Sequence, residues 1–201
     1  MKTYISLGST CSVAYQLDKH NLRVNAYPFD WLKCTSLKMI TKCIQENFKD
    51  FLDVIKIRES DKHPILTTDT FNDSSNDISM VMRNTYDMEF YHDFSANSNL
   101  DDIKEKYDRR IKRFIDIINS GNEIIFVRDE LKINSIKQED IDEFIQIIKS
   151  INPNCNFKIV YIVYNPKNKK INFNNIYIIN DTKNFEHWQR PNVEWIKLLD
   201  Y

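Results

Sequence analysis

Two spacings of apolar residues alternate along this chain, one typical of buried strands and one typical of helices that face a core. Runs that are apolar with at most one polar residue predict strands buried on both faces at 4–7, 123–127, 157–163 and 176–179. Apolar residues at helical spacing predict helices within 13–17, 37–48, 103–118, 141–148 and 193–199. Strands and helices alternate in the C-terminal half, as they do in βαβ units. We therefore predict a single α/β domain over 1–201, with a mainly parallel, flavodoxin- or Rossmann-like sheet and helices on both faces.

The segment 58–94 interrupts this alternation and predicts an inserted loop or hairpin region. Its first part is polar and rich in turn-forming residues, including the pair His63-Pro64. Two short strands joined by a turn are predicted to follow at 79–83 and 87–91. The second of these strands leads directly into His92-Asp93-Phe94.

The composition is that of an ordinary globular protein, with 42% hydrophobic and 28% charged residues in a chain of 201. The 28 lysines and arginines nearly balance the 29 aspartates and glutamates, so the chain as a whole has no electrostatic preference for nucleic acid or an anionic membrane. The first residues resemble neither a secretory nor a transit peptide, and no apolar run approaches the roughly 20 residues of a membrane span. We expect a cytoplasmic protein that binds no nucleic acid and no membrane.

The cysteine, histidine and glycine patterns give no indication of a cofactor. The four cysteines are scattered, without a Cys-x-x-Cys pair or a histidine cluster, which argues against a disulfide framework and a structural metal. The two glycines, Gly8 and Gly121, are too few for a dinucleotide fingerprint or a phosphate loop. We expect no metal and no nucleotide cofactor.

Cys11 is the strongest candidate for a catalytic residue, because it lies where the first predicted strand turns into the first predicted helix. Gly8 and Ser9 belong to the polar turn before it, and Gly8 permits the unusual φ that such an elbow requires. A helix N-terminus lowers the pKa of a thiol, and its N–H groups can bind an oxyanion. We therefore expect Gly8 and Ser9 beside the substrate. The alternative is a small buried cysteine that only packs.

A nucleophilic cysteine needs a base, and the chain has four histidines. His92 ends an apolar strand and is followed by Asp93, which can orient an imidazole. His187 precedes the last predicted helix, where flavodoxin-like lipolytic enzymes keep their histidine, although Asn184 stands at the position of their aspartate. The other two histidines lie in polar segments and are expected to be solvated. Both His92 and His187 stay open as the base.

Further polar residues are candidates for orienting the base or binding the substrate. Asp30 stands between two aromatic residues, and Asp129 lies at the end of a predicted strand, where open α/β sheets build their sites. Each is a candidate for the third member of a triad. Arg110 and Arg128 are candidates for binding substrate, with Arg110 acting as an anion clamp. The alternative for Arg110 is a solvated helix face.

Several short motifs follow one another along nearly the whole chain: Ser6-Leu7-Gly8-Ser9-Thr10-Cys11-Ser12-Val13-Ala14-Tyr15-Gln16-Leu17, Pro28-Phe29-Asp30-Trp31, His92-Asp93-Phe94, Tyr107 with Arg109-Arg110 and Phe114, Phe126-Val127-Arg128, and Trp188 with Trp195. This pattern resembles the family of putative papain-like cysteine peptidases. The opening motif is specific, and the later motifs are short. The resemblance implies a thiol active site in which Cys11 is the nucleophile and His92 is its base.

Three functions are compatible with these residues. The first is a cysteine-dependent hydrolase of peptides or other acyl compounds, in which Cys11 and His92 act with Asp93 or Asp30. The second is a thiol-dependent acyltransferase or other glycan-modifying enzyme, in which Arg109 or Arg110 holds a phosphorylated donor such as an acyl-CoA. The third is a non-enzymatic binding module.

Overall fold

The computed structural model describes residues 2–60, 65–66, 74–75, 77–130, 135–181 and 187–201. The strands in these ranges are β1 (Lys2–Ser6), β2 (Leu32–Lys33), β3 (Val54–Ser60), β4 (Ile65–Leu66), β5 (Ser74–Ser75), β6 (Ser79–Asn84), β7 (Glu89–Phe90), β8 (Glu123–Glu130), β9 (Asn156–Tyr164) and β10 (Tyr177–Asp181). The α-helices are α1 (Ser12–Lys19), α2 (Leu37–Gln45), α3 (Leu100–Ile118) and α4 (Gln138–Ile151), and a 3-10 helix spans Trp195–Asp200.

A four-stranded parallel sheet in the order β1-β8-β9-β10 separates two hydrophobic cores. Successive side chains of a strand point to opposite faces of its sheet. In β8, Ile124 and Phe126 belong to a core that also contains residues of α2, α3 and α4. Ile125 and Val127 belong to the opposite core, with residues of α1 and the 3-10 helix. Helical elements therefore cover both faces, which explains the continuous apolar runs in the sequence.

An antiparallel sheet in the order β2-β7-β6-β3 is inserted between β1 and β8. Phe90 of β7 pairs with Leu32 on one side and with Met82 on the other. These apolar side chains pack into the core that also contains α2, α3 and α4. The insertion begins at β2, earlier in the chain than the predicted segment 58–94, and its strand β7 leads into His92.

The structure differs from the predicted fold in three respects. The strand order does not confirm a flavodoxin- or Rossmann-like arrangement, since β1 lies at one edge and the described strands follow it in chain order. β8 continues to Glu130, so Arg128 and Asp129 lie inside the strand. The last predicted helix is a 3-10 helix. The predicted turn at His63-Pro64 lies outside the described residues.

The thiols differ in their accessibility. All four cysteines are unpaired with one another, and Cys11 is partly exposed while Cys34, Cys43 and Cys155 are buried. Within the described ranges, His, Cys, Asp and Glu side chains form no group suited to a metal ion. No helix in the described part of the chain combines the length and the apolar character needed to cross a membrane. Cys11 is thus the thiol that is best placed to meet a substrate.

Candidate active site

The elbow between β1 and α1 contains two consecutive residues with positive φ. Gly8 has a φ of +66° and Ser9 a φ of +76°, a left-handed conformation that is costly for residues with a side chain. A Cβ atom at Gly8 would lie 3.6 Å from the carbonyl oxygens of Leu32 and Phe29, so the elbow packs closely against that segment. The Gly8 N–H donates to the Ser6 hydroxyl at 3.1 Å. Gly8 therefore shapes the turn, and its amide is not directed at a substrate.

The elbow places Cys11 at the N-terminus of α1, facing His92. The Cys11 Sγ atom lies 3.5 Å from Nε2 of His92, although 81 positions separate the two residues in the chain. Its S–H group also reaches the carbonyl oxygen of Trp31 at 3.4 Å. His92 follows β7 and is only 4% exposed. A thiol and an imidazole within hydrogen-bond reach are the arrangement that nucleophilic cysteine chemistry requires.

Trp31 joins the two members of this pair. Its indole ring meets the His92 ring edge-on, with a centroid distance of 6.1 Å and an interplanar angle of 80°. The residue has a φ of +62°, which is a strained value for a bulky side chain. Arg23 lies over the same indole at 5.8 Å. Sequence reasoning missed this role, and the only signal was the place of Trp31 in the Pro28-Phe29-Asp30-Trp31 motif.

The electrostatics of Cys11 differ from the expected ones. Burial, together with the negative charge of Asp93, raises the pKa of the Cys11 thiol to about 12. The expectation that the helix N-terminus would lower this pKa is therefore wrong for the resting site, because desolvation of the thiolate outweighs the dipole. The thiol is neutral near pH 7. A nucleophilic reaction of this thiol near neutral pH therefore requires a neighbouring base that takes its proton.

Asp93 follows His92 directly but is held by α3. Its Oδ2 accepts a hydrogen bond from the Tyr107 hydroxyl at 2.9 Å, and its Oδ1 lies 2.6 Å from Nζ of Lys106. Burial opposes ionisation of this carboxyl, but the charges of Lys106 and Arg110 and the two hydrogen bonds hold its pKa below the usual value. Asp93 is thus an anion near the thiol, and its predicted role of orienting His92 stays a prediction.

Asp30 is buried in the loop that carries Trp31. Its Oδ2 accepts hydrogen bonds from Arg23 Nε at 2.8 Å and from the Tyr27 N–H at 3.0 Å. These bonds close the turn that presents the Trp31 carbonyl to Cys11. Asp30 therefore holds the shape of the site, and its proposed place in a triad likewise stays a prediction.

His187, the other candidate base, is exposed and lies against a different part of the molecule. Its ring stacks on Trp188 at 6.3 Å, and Trp188 in turn meets Tyr15 edge-on at 5.2 Å. The Gln189 N–H reaches His187 Nδ1 at 3.4 Å. The structure thus brings His92, rather than His187, to hydrogen-bond distance from Cys11 Sγ. Asn184 lies outside the described residues.

The two arginines predicted to bind substrate are both buried. Arg128 donates to the Leu7 carbonyl at 2.8 Å and to the Cys34 carbonyl at 3.1 Å, and its Nε pairs with Glu130. Every guanidinium nitrogen of Arg128 thus has a protein acceptor, and the residue ties the end of β1 to the segment before α2. Arg110 is 1% exposed and lies over the Tyr107 ring at 5.1 Å. Neither side chain has the exposure that an anion clamp needs.

A second polar cluster lies beneath the elbow, and only Asp129 was predicted. Ser12 Oγ donates to Asp129 Oδ2 at 2.8 Å, and Asp129 Oδ1 lies 3.3 Å from Nη2 of Arg190. The same Arg190 nitrogen is 3.2 Å from Oδ2 of Asp181. All four residues are buried. The available signal was that Asp129 and Asp181 both stand near the carboxyl ends of parallel strands, which meet at one edge of a sheet.

Comparison with known proteins supplies the family. No solved structure matches the chain. An uncharacterized protein of Acanthamoeba polyphaga mimivirus is 36% identical over 214 residues, which cover 98% of this chain and 96% of the viral protein. The family model described as putative papain-like cysteine peptidase matches residues 2–167, a range that includes both Cys11 and His92. The chain therefore belongs to the family of putative papain-like cysteine peptidases.

Proposed function

We propose that this protein is a cysteine-dependent hydrolase of peptides or related acyl compounds, with Cys11 as nucleophile and His92 as general base and acid. The observation that carries the proposal is the 3.5 Å distance between Cys11 Sγ and His92 Nε2. The residue Cys11 is partly exposed, so a substrate can approach it, although its thiol is desolvated in the resting site. His92 is shielded from water. Membership of a family described as putative papain-like cysteine peptidases supports the same chemistry.

The reaction follows from the protonation state of the resting site. Cys11 Sγ forms a bond to the substrate carbonyl carbon while the S–H proton passes to His92 Nε2. The bond to the leaving group then breaks, the leaving group takes the proton from His92, and a thioester on Cys11 remains. Water attacks this thioester and gives a proton to His92. The acid departs, and the sulfur regains its proton from the imidazolium.

The oxyanion that forms in each step requires hydrogen-bond donors. The first turn of α1 begins directly at Cys11, so its main-chain N–H groups stand beside the attacking sulfur. Unpaired N–H groups at a helix N-terminus stabilise negative charge. We assign the oxyanion to the unpaired groups of this turn and not to Gly8 or Ser12, whose N–H groups are bonded within the elbow.

Alkylation of Cys11 by iodoacetamide, followed by mass spectrometry from about pH 5 to about pH 10, tests the pair. Because an ordinary thiol titrates near about 8.5, base assistance by His92 produces a rise in the alkylation rate below that pH. We expect His92→Ala to remove this rise. His187→Ala is the matched control and should retain it. A profile with an ordinary thiol midpoint that His92→Ala leaves unchanged would contradict the proposal.

The acyltransferase alternative has less support. It requires Arg109 or Arg110 to hold a phosphorylated donor, but Arg110 is buried against Tyr107 and Arg109 pairs with Glu105 at 3.6 Å on the exposed side of α3. The binding-module alternative predicts that Cys11→Ser leaves function intact. A hydrolase forms an acyl adduct on Cys11 from a thioester substrate and releases the acyl group to water. This pair of observations distinguishes a hydrolase from an acyltransferase and from a binding module.

A further inference from the structure

Ser12, the first residue of α1, is fastened to a buried cluster of charges at the ends of the parallel strands. Its Oγ donates to Asp129 Oδ2 at 2.8 Å. Asp129 Oδ1 lies 3.3 Å from Nη2 of Arg190, and the same nitrogen lies 3.2 Å from Oδ2 of Asp181. Because Cys11 precedes Ser12 directly, the residue beside the thiol is joined through one carboxylate to a segment near the C-terminus.

Arg190 holds this cluster together. Asp129, Asp181 and Arg190 are all buried, and buried charges are costly unless they are paired. One guanidinium group between two carboxylates offsets the repulsion between them. Polar groups interact more strongly in the low dielectric of the interior than they do at the surface. The cluster therefore holds the Ser12 hydroxyl in a defined position near the end of β8.

The segment that carries Arg190 also contacts α1 farther along the helix. Gln16 Nε2 donates to the Gln189 carbonyl at 2.6 Å, and the Trp188 ring meets the Tyr15 ring edge-on at 5.2 Å. α1 has only 8 residues, and most of the stability of so short a helix comes from its packing against the rest of the protein. This segment therefore helps to set the position of α1.

The distance between Cys11 Sγ and His92 Nε2 depends on the position of α1. Cys11 stands between the parallel strand β1 and α1, whereas His92 follows β7 of the antiparallel sheet. The two atoms are 3.5 Å apart, so a shift of α1 by about 1 Å would weaken their contact. A misplacement of that size can lower the rate of an enzymatic reaction about a hundredfold.

We propose that Arg190 is a positioning residue, which holds the N-terminus of α1 through Asp129 and Ser12. The thiol of Cys11 is thereby kept facing His92. This inference rests on the proposed function of that pair. It places Arg190, which lies outside the residues 2–167 that the family model matches, in the support of the active site.

Alkylation of Cys11 by iodoacetamide near neutral pH, in a double-mutant cycle with His92→Ala, tests this role. We expect Arg190→Met to lower the rate about tenfold, because the displaced thiol loses its base. In the His92→Ala background the same substitution should have little effect, since the base is already absent. Arg190→Lys keeps a positive charge between the two carboxylates and should restore most of the rate.

Ser12→Ala tests the last link without removing a charge. Arg190 stays paired with Asp129 in this variant, so the fold should be retained, and urea denaturation checks this. We expect the same loss of alkylation rate as in Arg190→Met and the same dependence on His92. Thr10→Val is the matched control, because Thr10 Oγ1 lies 2.7 Å from Ser12 Oγ but does not belong to the link. It should keep the wild-type rate.

A purely structural role of Arg190 predicts a different pattern. A loosened fold alters access of the reagent to the thiol whether or not His92 is present, so Arg190→Met would change the rate equally in both backgrounds. That result overturns the inference, as does a wild-type rate in Ser12→Ala. In both cases the effect of His92→Ala itself persists, so only the inference fails. If the wild type and His92→Ala react at the same rate at every pH, the proposed function fails and the inference fails with it.

Discussion

The backbone carbonyl oxygen of Trp31 lies 3.4 Å from the Sγ atom of Cys11. The same residue packs its ring edge-on against His92, so one tryptophan contacts Cys11 through its main chain and His92 through its side chain. Its positive φ is stabilised by the bonds that Asp30 makes to Tyr27 and Arg23 in the same loop. Strained backbone of this kind is concentrated at reactive sites in proteins.

Trp31→Ala should destabilise the protein strongly. The side chain is 1% exposed, and truncation of a buried tryptophan costs about 3–5 kcal/mol of unfolding free energy. Urea denaturation followed by circular dichroism measures this loss. Trp188→Ala is the matched control, since Trp188 is 39% exposed and its removal should cost much less. Equal losses in the two variants would contradict the role assigned to Trp31.

Alanine substitutions at the two glycines separate the cost of a positive φ from the cost of disturbing the elbow. Both Gly8 and Gly121 have positive φ, but a Cβ at Gly121 would meet nothing within 4 Å. We expect each variant to lose about 1–2 kcal/mol of unfolding free energy from backbone strain. Only Gly8→Ala should also change the rate of Cys11 alkylation. If Gly121→Ala changes that rate equally, the elbow does not control the thiol.

The predictable part of the fold is the part in which each strand is buried on both faces. The runs that became β8 and β9 are apolar except for one charged residue each, Glu123 and Lys158. The helices that cover them have long apolar stripes, so local pattern was sufficient. β2 and β7 are two residues each. Such short strands leave no periodic signal, and the antiparallel sheet that begins at Leu32 was therefore only partly predicted.

The candidate site, like the fold, could be predicted from the sequence only in part. The position of Cys11 followed from a local pattern, because a strand, a glycine turn and a helix are contiguous. The choice between His92 and His187 required long-range geometry, and before the structure it rested on family resemblance alone. The partners of Asp93 lie on α3, and those of Asp129 lie on α1 and near the C-terminus. Contacts between such distant segments produce no recognisable spacing pattern in a single sequence.

Asp93→Asn should make Cys11 more reactive at lower pH. The negative charge of Asp93 is the second cause, after burial, of the raised thiol pKa. Its removal should lower that pKa and move the thiolate-dependent part of the alkylation profile, which lies above the rise caused by His92, to lower pH. Asp18→Asn, which removes a carboxylate from α1, is the control and should leave the profile in place. A profile that is identical in the wild type and Asp93→Asn would show that burial alone sets the pKa.

Asp93→Asn should also change how the free energy of unfolding depends on pH. Asp93 has a folded-state pKa below its usual value, so its contribution is present above the unfolded pKa of about 3.9 and is lost as the pH falls through the folded value. Below that point the wild type and Asp93→Asn should converge in unfolding free energy. At neutral pH the variant should be less stable, since Lys106 loses its partner at 2.6 Å. Urea unfolding at a series of acidic pH values measures both effects.

Asp129 should show the opposite dependence on pH. Burial, opposed by Arg190 and Ser12, raises its pKa to about 6, compared with about 3.9 in an unfolded chain. The folded state therefore holds the proton more tightly, and this contribution is complete below about pH 3.9 and is lost as the pH rises through about 6. Asp129→Asn cannot titrate at this position. The wild type should thus lose stability relative to Asp129→Asn between these pH values, by roughly 3 kcal/mol in total. Asp108→Asn, which removes an exposed carboxylate from α3, controls for the change in net charge. If the unfolding free energies of the wild type and Asp129→Asn run parallel across this range, Asp129 does not experience the buried cluster that it forms with Ser12 and Arg190.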